Sequence, residues 1–158
     1  LSKKKLNCNL FVSASVQEEM GLRGARIINT KVNPDFSVAL EGTVSNDLPG
    51  IPKHKSLAHL DNGPEIRISD KYLIADRKFN NFIENLAIKK KIPYQLTAKN
   101  AGGTNSTAFQ VTGNGSKATV LSVPVRYLHS PSSVCRIKDI ENTIKLLIEI
   151  VSNINKFK

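Results

Sequence analysis

Strand-like alternation and helical periodicity follow one another along this chain, and that succession restricts the fold more than any other feature. Asn9 to Val16 carries Leu10, Val12, Ala14 and Val16 at period two, the pattern of a half-buried strand. Residues 21–31 read as a helix. Phe36-Ser37-Val38-Ala39-Leu40 reads as a second strand, ending at Glu41. Glu65 to Ser69, Tyr94 to Thr97 and Ala118 to Val123 add three more, the last stopped by Pro124. Arg77 to Lys91 sets Phe79, Phe82, Ile83, Leu86 and Ala87 on one helical face. A short helix is expected over 105–112. A long amphipathic helix is expected from Ile137 to Ile154, with Ile140, Ile144, Leu147, Ile148 and Val151 inward. Strands interleaved with helices predict an α/β layered sheet. Residues 42–64, rich in Gly, Pro, Asn and Asp, form a loop longer than the ~12–15 residues usual for a purely connecting segment, which points to a functional loop.

The 158 residues suffice for one domain that buries roughly 68–70% of its unfolded surface. No run approaches the ~18 apolar residues needed to span a bilayer. Lys3-Lys4-Lys5 before an apolar stretch resembles a signal peptide only superficially, because Asn7 and Asn9 interrupt it and Gln17-Glu18-Glu19 is a poor cleavage site. The expectation is a cytoplasmic protein. Its net charge of +10 raises nucleic acid as a partner. The basic residues are scattered, however, over Lys3 to Lys5, Lys89 to Lys91 and the Lys156/Lys158 tail. No aromatic side chains interleave with them and Trp is absent, so platforms for stacking bases are missing. Neither nucleic acid nor membrane is expected as a partner. Cys8 and Cys135 match no metal-binding or redox spacing and read as reduced structural thiols. A first residue that is Leu and not Met suggests that the chain starts inside a longer reading frame.

Three expected strands run into loops bearing ligand-type residues: Glu18-Glu19, Glu41, and Pro124 to Ser130 with His129. In open α/β sheets, sites gather beyond the carboxyl ends of strands. Two glutamates and a histidine make an oxygen/nitrogen set suited to zinc or a similar ion, and a second carboxylate beside a ligand can serve as general base. Adjacent carboxylates on extended backbone point to opposite sides, so the pair can divide these jobs. The other reading of Glu18-Glu19 is a solvated pair capping the helix that begins near Gly21. Glu41 can equally be an ordinary strand end and His129 an ordinary loop residue. His54 and His59, in the long loop, are expected to be exposed. Gly102-Gly103 reads as a turn, since no Walker-type Lys-Ser/Thr follows.

Gln17-Glu18-Glu19-Met20-Gly21-Leu22-Arg23-Gly24-Ala25 resembles the "QEEVGLRGA" signature of the two-metal aminopeptidases of the glutamyl and deblocking aminopeptidase family, which includes the tetrahedral aminopeptidases and proteins labelled endoglucanase or cellulase M. Ala39-Leu40-Glu41-Gly42-Thr43, followed by Asp47-Leu48-Pro49-Gly50, is similar to its second acidic segment. Gly63-Pro64-Glu65-Ile66 resembles "GPxI", Gly102-Gly103-Thr104-Asn105 resembles "GGTDA", and Ser122 to Pro131 is close to "SVPxRYxHSP". The similarity covers nearly the whole chain, with five motifs in order.

The resemblance implies a three-layer α/β/α sandwich with a mixed sheet, and a metal-dependent aminopeptidase that removes N-terminal residues from peptides. It implies two divalent ions, zinc or cobalt, and a homo-oligomeric assembly. Glu18 would be the general base, Glu19 and His129 would ligate one ion, and Glu41 the other, while Arg126 and Tyr127 would shape the ligand loop. Two departures follow. The family places an "HxD" histidine and a "GxDDR" bridging aspartate upstream of the glutamate pair, and neither precedes Glu18 here. Residues 1–158 are therefore expected to be the C-terminal part of a catalytic domain, without its N-terminal part or its inserted dimerisation domain, and inactive or nearly so alone. Asn105 also stands where the family usually has Asp. The competing expectation is a non-catalytic or degenerate α/β module that packs with a partner chain.

Overall fold

A computed structural model describes residues 6–157, so Lys3 to Lys5 and Lys158 lie outside the described residues. The described elements are α1 (Arg23–Val32), β1 (Phe36–Val44), a 3-10 turn (Lys53–Lys55), β2 (Glu65–Ser69), α2 (Arg77–Lys90), β3 (Gln95–Ala98), α3 (Asn105–Val111), β4 (Lys117–Arg126), β5 (Val134–Cys135), α4 (Ile137–Asn153) and a closing 3-10 turn (Ile154–Lys156).

The strands form one mixed sheet in the order β1-β4-β2-β3, with β5 on the end of β4. β1 runs parallel to β4 with Leu40 opposite Leu121 and Glu41 opposite Ser122. β2 is antiparallel to β4, pairing Glu65 with Ser122, and parallel to β3. Because side chains alternate across a strand, residues in register share a face. Ile66 and Leu121 face α2 and α4, where they pack with Phe79, Ile83, Leu146 and Ile150 in the larger apolar cluster. Ala39, Ala118 and Val120 face the other way and pack with Phe109 of α3. Helices on both faces give the three layers expected. Among the described residues, no helix is long and apolar enough to cross a membrane.

Several sequence expectations need correction. Residues 9–16 form no strand: Phe11 is 65% exposed and Val12 is 88% exposed, and no described strand lies beside them. A strand exists only where a neighbour takes up its N–H and C=O groups, whatever the side-chain pattern. β1 continues beyond Glu41 to Val44, because Gly42, Thr43 and Val44 stay in register with Val123, Pro124 and Val125. β4 likewise runs through Pro124 to Arg126. Val125 C=O accepts from Ser45 N on the β1 side, so the position of the missing proline N–H faces the opposite edge. There β2 has already separated, pairing only at Leu121 and Ser122, and β5 begins only at Val125.

The face that α4 buries is also rotated from the one its isoleucines suggest. Asp139, Asn142, Thr143, Leu146 and Ile150 are buried, whereas Ile140 and Ile144 are exposed. The Asp139 carboxylate accepts from Asp61 N at 2.8 Å and Gly63 N at 2.9 Å, anchoring the long loop to the start of the helix. Those two bonds offset the desolvation of a buried carboxylate and set the helix rotation.

Candidate active site

The Glu18-Glu19 pair sits on a turn, and the helix-cap reading fails. Gly21 N and Leu22 N both donate to Glu18 O, at 3.2 and 3.0 Å, and Gly24 N donates to Val16 O at 3.0 Å. α1 starts only at Arg23, with no acidic residue in its first turn and no side-chain cap. Gln17 has a positive φ of 59° and Leu22 one of 60°, conformations that cost non-glycine residues free energy and concentrate at functional sites.

The turn sends the two carboxylates into different surroundings. Glu19 Oε1 lies 3.0 Å from His129 Nε2. Glu18 is half-buried, and its pKa is raised by burial and by the Glu19 charge, with His129 offsetting part of the rise. Glu41 projects from β1 toward the same cluster. Burial and the neighbouring Glu18 charge push its pKa up to about 6, against the Asn105 backbone N–H and the Arg67 charge, which pull it down. Its Oε1 is buried with no hydrogen-bond partner. The four residues singled out from sequence are thus one electrostatically coupled group.

His129 reaches this group from the loop between β4 and β5. Arg126 and Val134 pair at the base of that loop, and Ser130 N and Ser133 Oγ both donate to Tyr127 O, at 3.1 and 3.0 Å. Tyr127 and His129 have φ of 60° and 63°. His54 is exposed, whereas His59 is half-buried, its backbone held on both sides by the Gln95 amide.

Beside Glu41 lies a buried charge network that hydrophobic periodicity does not reveal. Glu65 is fully buried and receives Arg67 Nε at 2.9 Å and Arg67 Nη2 at 3.3 Å. Arg67 also donates to Asp70 at 3.1 Å and to Thr43 Oγ1 at 3.2 Å. Lys99 Nζ stands 3.4 Å from Glu65 Oε2 and donates to Thr43, and Thr97 donates to Glu65. Burial raises the Glu65 pKa, but the Arg67 hydrogen bonds and charge, helped by Lys99, lower it overall. Burial dominates at Lys99 and lowers its pKa. The signal for this network was the i, i+2 spacing of Glu65 and Arg67, which sets opposite charges on one face of a strand.

The donor chemistry fits divalent ions in kind. Glu19 Oε1 and His129 Nε2 already meet at one point, and the orphaned Glu41 Oε1 is an acceptor in want of a cation. In number the set falls short: among the described residues, no three His, Cys, Asp or Glu side chains converge to hold a metal.

Comparison with known proteins agrees with the motifs. The family model for M42 glutamyl aminopeptidase matches residues 1–146. A putative aminopeptidase of Acetivibrio thermocellus is 34% identical over 94% of this chain and 44% of its own length. Aminopeptidase APDkam598 of the archaeon Desulfurococcus kamchatkensis superposes with a TM-score of 0.87 at 34% identity, covering 92% of this chain and 43% of that one. The TET1 peptidase of Pyrococcus horikoshii, described as assembling into a tetrahedron or a large octahedral shell, superposes with a TM-score of 0.73 at 30% identity over 87% of this chain and 39% of its own. The chain therefore spans less than half the length of these relatives. With the family model covering most of its length and the fold of its solved relatives, the chain belongs to the M42 glutamyl aminopeptidase family.

Proposed function

We propose that this chain is part of a metal-dependent aminopeptidase that hydrolyses N-terminal residues from peptides. The observation that carries the reading is the electrostatic coupling of Glu18 to Glu19, His129 and Glu41, from three separate segments, with Glu19 and His129 in contact. Glu19 and His129 would hold one divalent ion and Glu41 a second, with zinc or cobalt suited to this mixed oxygen and nitrogen set. Such ions, when bound, polarise the scissile carbonyl and acidify water.

The chain's own residues divide the remaining work. Glu18, half-buried and with its pKa raised, is matched to accept a proton from an attacking water and pass it to the departing amine. Glu41, on the rigid β1–β4 ladder, keeps an anionic oxygen free of protein donors. Arg67, held among Glu65, Asp70 and Thr43, supplies the positive charge that favours its ionised form.

With fewer than three ligands converging among the described residues, we infer that the 158 residues alone turn over peptides slowly or not at all. The alternative, a non-catalytic module packing with a partner chain, draws support from the exposed Leu40 and Val44 of β1 and Ile140 and Ile144 of α4. Homo-oligomeric assembly, as described for the Pyrococcus horikoshii relative, would also cover such a surface. The two free cysteines accord with a reducing, cytoplasmic setting. Zinc titration followed by His129 and glutamate side-chain NMR signals tests the proposal. Shifts confined to Glu18, Glu19, Glu41 and His129 are expected, and a folded chain whose signals stay fixed would remove the metal-site reading.

A further inference from the structure

His129 is among the most exposed of the site residues, yet the strand from which its loop departs is tied down at one point. The Asp47 carboxylate receives Arg126 Nε at 2.7 Å and Ser45 Oγ at 2.7 Å on one oxygen, and Leu60 N at 3.0 Å on the other. Arg126 Nη2 adds a bond to the Asp47 carbonyl at 3.2 Å. One side chain therefore joins three segments: the exit of β1 through Ser45, the long loop through Leu60, and the exit of β4 through Arg126. Ser45 N donating to Val125 O at 2.9 Å continues the β1–β4 ladder up to this junction.

Between Arg126 and its β5 partner Val134, the described hydrogen bonds stay inside the loop. Ser130 N, Ser133 Oγ and Ser130 Oγ bond only within the loop, to Tyr127 O and Ser132 O. Leu128 lies over Gly42, where an added Cβ would meet its Cδ1 at 3.4 Å. The loop is thus an internally bonded unit hung on the Arg126–Val134 pair, and the Arg126 side chain takes its orientation from Asp47. A guanidinium held by a carboxylate and a carbonyl at once has little rotational freedom.

We propose that Asp47 is a positioning residue: by clamping Arg126 it sets where the 127–133 loop places His129 against Glu19. This rests on the proposed role of His129 and adds the residue that fixes its position. Asp47 itself touches none of the four site residues by any hydrogen bond described, so its influence is exerted through Arg126 and the loop.

A double-mutant cycle read by NMR tests this without metal. In the otherwise unchanged 158-residue chain, Glu19→Gln should shift the His129 ring resonances, because the two side chains are in contact. With Asp47→Asn as background the same substitution should shift them at least threefold less, and Asp47→Glu should restore the larger response. Equal shifts in both backgrounds would overturn the proposal. If Asp47→Asn unfolds the chain, Arg126→Lys, which keeps the charge and loses the two-pronged clamp, carries the same cycle with the same criteria. Zinc added to the wild-type chain separates the two claims. If zinc leaves His129 unmoved while the cycle succeeds, the ligand role fails and the clamp stands. If zinc moves His129 and the cycle gives equal shifts, the ligand role stands and the clamp fails.

Discussion

Glu19 Oε1 and His129 Nε2 meet at 3.0 Å with both side chains open to solvent, at 74% and 70% exposure. An exposed pair of this kind adds only about 0–1 kcal/mol to stability. Folding gains little from the pair, which leaves it free for the proposed metal role. His129→Ala and Glu19→Gln are therefore expected to leave the thermal midpoint nearly unchanged while sharply weakening zinc binding. Paired melting curves and zinc titrations check this, and a large loss of stability in either variant would assign the pair a structural role.

Glu41 should show the opposite behaviour, a gain in stability on removal of its charge. Its folded pKa of about 6 lies above the ordinary 4.5, so the folded chain binds the Glu41 proton more tightly than the unfolded chain does. The stability this confers is present below pH 4.5, declines as pH rises, and is lost above about 6. In chelator-treated buffer at pH 7.5, Glu41→Gln should raise stability by up to about 2 kcal/mol. The gain should shrink toward zero by pH 4.5. Urea unfolding across this range measures it, and a difference independent of pH would show that the ionised carboxylate is not the cause.

The sequence and the structure agree where one contact type dominates. α2 buries Phe79, Ile83, Leu86 and Ala87 as its periodicity requires, and its one buried polar side chain there, Asn80, bonds to Arg67 C=O and Thr119 without turning that face. α4 departs from its periodicity because Asp139 has a stronger claim than Ile140 or Ile144, and two backbone N–H bonds from a remote loop cannot be read from a helical wheel. Residues 9–16 carry a strand's pattern without the neighbouring strand that would make it one. That Glu18, Glu19, Glu41 and His129 lie close enough to couple was legible because their motifs stand in family order. Asp47 as a junction was not, since its three partners lie on different segments.

The network around Arg67 gives a prediction about folding in acid. Glu65 has its pKa lowered in the folded state, so its contribution is present above pH 4.5 and is lost as pH falls below that value. Arg67→Met removes the main cation of fully buried Glu65, leaving it only Lys99 Nζ at 3.4 Å, and should cost up to about 3–5 kcal/mol at neutral pH. With Arg67 gone and only Lys99 opposing its charge, Glu65 protonates at higher pH, so the acid-unfolding midpoint should move upward. Adding Glu65→Gln to Arg67→Met should recover part of the loss, because the stranded charge is gone. Equilibrium unfolding of both variants decides the matter, and a mild effect of Arg67→Met alone would mean that water reaches Glu65.

Gly24 offers a mechanical test of how the carboxylate turn is held. An added Cβ there would stand 2.6 Å from Val16 N and 2.8 Å from Val16 O, distances that no real side chain keeps. Both obstructing atoms are backbone, so Gly24→Ala must displace Val16, which leads directly into Gln17-Glu18-Glu19. A cost of about 1–3 kcal/mol is expected, together with a shift of the His129 ring signals as Glu19 moves away. Gly50→Ala is the matched control. Its φ of +85° makes alanine strained by about 1–2 kcal/mol, but the space around it is open. The two variants should therefore lose comparable stability while only Gly24→Ala disturbs His129. A common response of the His129 signals to both would show that the site senses general loosening of the fold, and not the position of Val16.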